Sequence, residues 1–258
     1  MPSRESVDIA VPQSIAVVGG GRLGTVLTRA LRDGGVRVAG PFGRDAVIGT
    51  PDAVVLCVPD DQIAVVAPAY AGIVPLIGHT SGATPLSVID APGCAVFGIH
   101  PLQTFIGDDG PERFYGVSCA IGGTTPTALD FARRLAGMLH MHPFEINDED
   151  RPAYHAAACV ASNFLITLQD AAERIARGAA IDAPTAHEML VPLVRAAVQN
   201  WAARGPRAAL TGPVSRGDHA TVARQRAAIG RVAPELLTLF DVFVERTQAL
   251  SEQPAPSE

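Results

Sequence analysis

Short runs of consecutive apolar residues recur through the first half of the chain and cease in the second. Ile15–Val18 is the first, and Ala53–Val58 (AVVLCV), Val74–Ile77, Ala95–Ile99 and Gly116–Ile121 follow. Runs this short and without polar alternation predict strands buried on both faces, as in a parallel sheet. Val36–Ala39 reads as the second strand, and a short third one falls near Ala46–Ile48. Between runs, apolar residues repeat at helical spacing. Leu23, Val26, Leu27, Ala30 and Leu31 follow the first strand, a helix runs from Asp60 to Ala67, and another runs from Pro126 to about Leu139. Strands alternating with helices predict an α/β architecture with a doubly wound, mostly parallel sheet.

From Asp148 the pattern changes. One long Ala-rich helix is predicted from Pro152 to about Arg177, then helices over 182–203, 218–230 and 234–250, with no strand pattern beyond Glu145–Ile146. The chain therefore divides into an α/β domain over residues 1–148 and an all-helical domain over residues 149–258. Residues 1–13 and 251–258 are polar or proline-bearing ends.

The first strand runs straight into Gly19-x-Gly21-x-x-Gly24, and a helix follows at once. In a strand–turn–helix setting these glycines serve a dinucleotide: one for the tight turn, one for close approach of backbone to pyrophosphate, one for packing helix on strand. Free N–H groups at the helix start then face the phosphates. The α/β half is accordingly a Rossmann domain. The second strand ends without the acidic residue that usually holds the ribose of NAD; no acid precedes Asp45, and Arg44 stands about where a 2′-phosphate would be met. Arg22, inside the turn, is a second phosphate contact. NADP is the expected cofactor. Gly19, Gly21, Arg22, Leu23, Gly24 and Arg44, with Val58, Pro59 and Ser81 at neighbouring strand ends, form its expected site.

Ligands of such sheets bind outside the carboxyl ends of the strands. Two of those ends carry polar clusters, His79-Thr80-Ser81 and His100-Pro101-Leu102-Gln103. The long helix offers His155, Cys159 and Asn163 at intervals of four, which places near neighbours on one stripe. His100, His155 and Asn163 are the candidate catalytic residues. Gln103, with Arg216 and Asp218 from the loop Leu210–Val222, are the candidate substrate contacts; an arginine there suits a carboxylate, while Asp218 or Ser215 also suits a helix cap.

Composition narrows the function. The net charge is -6, which gives no electrostatic reason to bind nucleic acid or an acidic membrane. Arg4, Glu5 and Asp8 stand where a signal peptide needs an apolar run, and no segment approaches membrane-spanning length, so a cytoplasmic protein is expected. Four scattered cysteines lack the spacing of a metal site. All 20 basic residues are arginine.

Taken together, GGGRLGTVL, VPDDQI, HTSGA, GIHPLQTF, YHAAACVASNFL and LTGPVSRGD resemble a bacterial family of Rossmann-like oxidoreductase homologues whose C-terminal helical half is a domain of unknown function. That family looks like a branch of the superfamily of 6-phosphogluconate and β-hydroxyacid dehydrogenases, pyrroline-5-carboxylate reductase and ketopantoate reductase. The resemblance implies NAD(P)-dependent redox chemistry and a homodimer formed through the helical half. Two departures stand out. β-Hydroxyacid dehydrogenases carry a proton-donating lysine four residues before the helix asparagine, where this chain has Cys159 before Asn163. Ketopantoate reductase also uses a lysine, which this chain lacks altogether. GIHPLQ looks more like the Gly-x-His-Pro-Met segment of prephenate dehydrogenases, whose histidine contacts the substrate hydroxyl. A proton would then come from His100, His155 or water. Expected, then, is an NADP-dependent reductase or dehydrogenase of a small carboxylate. A non-catalytic nucleotide sensor or scaffold and a deazaflavin-linked enzyme are the alternatives.

Overall fold

The structure, a computed structural model, describes residues 14–43 and 46–252. Its described residues fall into two compact units that meet in sequence at Ser162 and Asn163.

The first unit is built on a seven-stranded sheet of order β2-β1-β3-β4-β5-β6-β7. The strands are β1 (Ser14–Val18), β2 (Arg37–Phe42), β3 (Ala53–Leu56), β4 (Leu76–His79), β5 (Ala95–Pro101), β6 (Ser118–Gly123) and β7 (His142–Glu145). Every adjacent pair is parallel except β5 and β6. That exception has a plain cause: residues 102–117 contain only one short 3₁₀ turn, Pro111–Phe114, and no helix long enough to carry the chain back across the sheet.

Strand alternation sorts the apolar residues onto two faces. Ile15, Val17, Ala53, Val55, Phe97 and Ile99 join α1 (Arg22–Asp33) and α3 (Pro126–Met138) in one core. Ala16, Val18, Val54, Leu56, Ile77 and Val96 face α2 (Asp60–Val66) in the other. Both cores are closed, which is why β1, β3 and β4 read as unbroken apolar runs.

Two expectations are corrected. No strand forms near Ala46–Ile48: β1 is already paired on both sides, so Ile48 tucks into the second core and Val47 is left in solvent. The single long helix is two, α4 (Arg151–Ala161) and α5 (Asn163–Gly178), separated at Ser162, whose φ of -116° departs from the regular helical value. Ser and Asn side by side offer the backbone competing hydrogen bonds and weaken a helix there.

The second unit holds α5, α6 (Ala183–Ala209), α7 (His219–Val232) and α8 (Leu237–Glu252). Its core gathers Ala171, Ile229, Ala233 and Leu236, with Ile175, Leu239 and Phe240 packed against them. Asp182 and Asp218 cap α6 and α7 by accepting hydrogen bonds from the backbone N–H groups of Thr185 and Thr221. No helix among the described residues is long and apolar enough to cross a membrane.

Candidate functional site

The strand order reverses between β1 and β3, and there a cleft of about 430 Å³ opens beyond the carboxyl ends of β1, β3, β4 and β5. Its lining includes Gly21, Arg22 and Leu23 from the glycine turn, Val58, Pro59 and Asp60 after β3, Thr80–Gly82 after β4, and His100, Gln103 and His155.

The three motif glycines have different reasons to be glycine. Gly19 has a φ of +109°, and a β-carbon on it would stand 2.3 Å from the Cys57 carbonyl oxygen. Gly24 is buried against Gly19. Gly21 would carry a β-carbon without touching any atom within 4 Å, so the protein's own packing does not account for it.

The helix that starts at Gly21 is also built unlike its neighbours. α2 has Asp60 and Asp61 in its first turn, and α3 has a Thr125 side-chain cap. α1 has neither an acid in its first turn nor a side-chain cap, and its first residue is the cation Arg22. A cation at the positive end of a helix is unfavourable unless an anion joins it. Uncapped N–H groups, Arg22 and the open space at Gly21 together fit a pyrophosphate.

Ser81 lines the cleft, but its hydroxyl is engaged locally, donating to Thr84 Oγ1 at 2.9 Å and accepting from the Thr84 N–H at 3.0 Å. Arg44 and Asp45 lie outside the described residues, so the 2′-phosphate contact expected of Arg44 has no structural description.

His100 and His155 come together: their ring centroids are 5.8 Å apart and nearly perpendicular. His155 Nδ1 lies 3.8 Å from Cys159 Sγ. His100 Nδ1 is 2.8 Å from Tyr154 Oη. Gly82 packs against the opposite edge of the His100 ring, where a β-carbon would stand 2.8 Å from Nε2 and from His155 Cδ2. Burial first, then the charges of His155 and Arg151, hold the His100 pKa down at about 4, with Asp60 opposing. His79, wholly buried, is likewise held at about 4 by burial and Arg151, and its Nδ1 accepts from the Ser81 N–H at 3.2 Å. His79 therefore belongs to the core and not to the lining of the cleft.

Sequence reasoning missed Tyr154 and Arg151. Arg151 is fully buried although it opens a helix. Its guanidinium lies against Gly98 and Gly122, which oppose each other across β5 and β6; a β-carbon on either would stand 2.7 or 2.8 Å from Nη2. Nε donates to Asp148 Oδ1 at 3.1 Å, while Nη1 and Nη2 have no hydrogen-bond partner among the described residues. Asp148 also accepts from the N–H groups of Leu86 and Ser87. The signal was a glycine in each of two adjacent strands with one arginine to fill the gap, and it is readable only once the pairing is known.

The remaining candidates belong to the second unit. Asn163 opens α5, is exposed, and its carbonyl accepts from Thr167 Oγ1 at 3.3 Å. Arg216 is exposed in the turn before α7, and Asp218 serves as the α7 cap. Among the described residues no group of three or more His, Cys, Asp or Glu could hold a metal.

This architecture, a mostly parallel seven-stranded sheet followed by helices, is a Rossmann-like fold. Residues 117–247, more than half of the chain, match the model of the family described as Domain of unknown function (DUF2520), and the chain belongs to that family. The match begins just before β6, so the family's domain takes in the last strands of the sheet as well as the helices. Among curated proteins none matches. Several solved structures share the fold over nearly the whole chain. BF3122 from Bacteroides fragilis, provisionally named an NADP oxidoreductase, is 18% identical with a TM-score of 0.78, over 92% of this chain and 98% of its own. The protein TM1727 from Thermotoga maritima is 23% identical with a TM-score of 0.74, over 92% and 98%. An NADH-preferring ketol-acid reductoisomerase from an uncultured archaeon is 17% identical with a TM-score of 0.62, over 92% and 82%.

Proposed function

We propose that the protein is an NADP-dependent oxidoreductase that moves a hydride to or from a small carboxylate-bearing carbonyl, imine or hydroxy compound. The observation that carries this reading is the start of α1: an uncapped helix end with Arg22 in its first turn, beside a glycine that its own protein does not require. The first-turn N–H groups and Arg22 would hold the pyrophosphate, and Arg44 would hold a 2′-phosphate. A nicotinamide dinucleotide bound there supplies the hydride.

His100 supplies the proton side of the chemistry. It lines the same cleft, is uncharged at neutral pH, and needs no lysine to hold a hydrogen bond to a substrate oxygen. Gln103 lines the cleft as a further polar contact. Arg216 is offered as a carboxylate contact because of its charge, and Asn163 as a further catalytic group because of its spacing from His155. Kinship with NADP-named proteins of this fold supports the cofactor, although the NADH preference of one of them keeps the 2′-phosphate question on Arg44.

A homodimer through the helical unit is part of the proposal. Leu193 and Trp201 on α6 and Phe164 and Ile166 on α5 are more than half exposed, an apolar surface that a second copy would cover.

The test is direct. Titration with NADPH and with NADH should show micromolar or tighter binding that favours NADPH. NADPH consumption should then appear with a member of a panel of 2-oxo acids and cyclic imines. Binding without turnover on any such compound would favour a nucleotide-sensing protein, a reading the missing lysine makes specific. No binding of either nucleotide would overturn the proposal.

A further inference from the structure

Three side chains of α4 act on the sheet within one helical turn. Arg151 fills the gap over Gly98 and Gly122, and Tyr154 and His155, three and four residues on, reach His100. His100 and Gly98 lie two residues apart on β5 and so share a face. The buried arginine thus fixes the height and rotation at which Tyr154 meets His100.

We propose that Tyr154 and His100 form a proton relay into the cleft, in which Tyr154 donates its O–H to Nδ1, the single proton of neutral His100 sits on Nε2, and that N–H serves the reacting oxygen of the substrate. The proposal rests on the oxidoreductase reading above.

The two partners can share one hydrogen bond in two ways. If Nδ1 carried the proton, the phenol would accept it, and the phenol's own hydrogen would be left to solvent, since Tyr154 is only half-buried. If Tyr154 donates, its hydrogen is used and Nε2–H is left for the cleft. Tyr154 is held as the protonated phenol, because burial raises its pKa to about 12. Burial, and after it His155 and Arg151 from α4, keep the His100 ring neutral against the opposing charge of Asp60 from α2.

A neutral imidazole N–H is a weak acid, so it gives up its proton only as the substrate oxygen gathers negative charge. As the carbonyl carbon takes a hydride, the C=O π bond opens and the oxygen takes the Nε2 proton. The phenol proton passes to Nδ1 in the same sense. His100 is neutral before and after, the oxygen has gained one proton, and Tyr154 has lost one, which solvent restores. The positive charge of Arg151 favours the transient phenolate electrostatically. Oxidation of a hydroxyl reverses each transfer.

Nitrogen NMR of histidine-labelled protein tests the relay without any ligand, with His100→Gln used to assign the resonance. The expected result at pH 7 is a protonated Nε2 and a bare Nδ1 on His100. In Tyr154→Phe, which keeps the ring, the two tautomers should become mixed while NADPH affinity and the melting temperature hold. On an active substrate, kcat should fall roughly a hundredfold. A proton on Nδ1 in the wild-type protein, a doubly protonated ring at pH 7, or an unchanged tautomer in Tyr154→Phe would overturn the relay. Failure to bind NADPH would overturn the oxidoreductase reading instead, and leave the tautomer result standing.

Discussion

A β-carbon placed on Gly24 would stand 2.0 Å from the carbonyl oxygen of Gly19. The helix start and the strand end are in contact through backbone alone, so Gly24→Ala must push them apart. Overpacking of this kind costs about 1–3 kcal/mol and should show as a lower melting temperature. Gly21→Val is expected to behave oppositely. It should leave stability within about 0.5 kcal/mol, since its side chain meets no protein atom, and should abolish nucleotide binding. Thermal melts and NADPH titration on both variants separate the two roles.

Arg22 and Arg44 should divide the phosphates between them. A charge-assisted hydrogen bond contributes about 1.5–3 kcal/mol, or roughly ten- to more than a hundredfold in affinity. Arg22→Ala should weaken NADPH and NADH alike by about that factor. Arg44→Ala should weaken NADPH and leave NADH nearly unchanged. Binding isotherms with both nucleotides give the answer.

Acid should weaken the fold through two histidines. His79 and His100 have folded pKa values of about 4, below the ordinary value near 6.5. The unfolded chain therefore binds the extra protons first, so the stability of these groups is whole above about pH 6.5 and is lost as pH falls toward 4. The loss is on the order of 3 kcal/mol for each histidine at most. Denaturant melts from pH 8 to pH 4.5 should show it, and His79→Gln should flatten the curve.

Asp148 and Arg151 should show strong coupling. Burial works to raise the Asp148 pKa, but the N–H groups of Leu86 and Ser87 and the Arg151 guanidinium outweigh it and hold the carboxylate below its usual range. Asp148→Ala removes the only hydrogen-bond partner that a fully buried cation has among the described residues, and should cost about 3–5 kcal/mol. Adding Arg151→Met should recover part of that loss, because the uncompensated charge goes with it. A double-mutant cycle by denaturant unfolding measures the difference.

What the sequence could disclose follows from how local each signal was. The glycine turn, the buried strands and the Asp218 cap depend on neighbours in the chain, and they were legible. The direction of β6 depends on what a connection lacks, and an apolar run reads the same in either direction. The break at Ser162 was masked by good helix formers on both sides. The place of His100 in the cleft could be read from its position at a strand end, whereas its bond to Tyr154 depends on α4 meeting β5. Arg151 was the least legible of all, since a charged residue beside Pro152 reads as an exposed helix start until the two opposing glycines are known.

The far edge of the sheet has its own consequence. β7 pairs with β6 through alternate backbone groups, the N–H of His142 donating to Val117 and that of Ile146 to Ile121. The N–H positions that face away from the sheet therefore fall at residues 143 and 145. Pro143 has no hydrogen to offer at the first, and the residue at the second, Glu145, carries an acid paired with Arg133. A stray strand from another molecule would find half of the donors missing and a charge in its path. The β7 edge of this mostly parallel sheet is thus defended against fibril-like stacking by a proline and an acid.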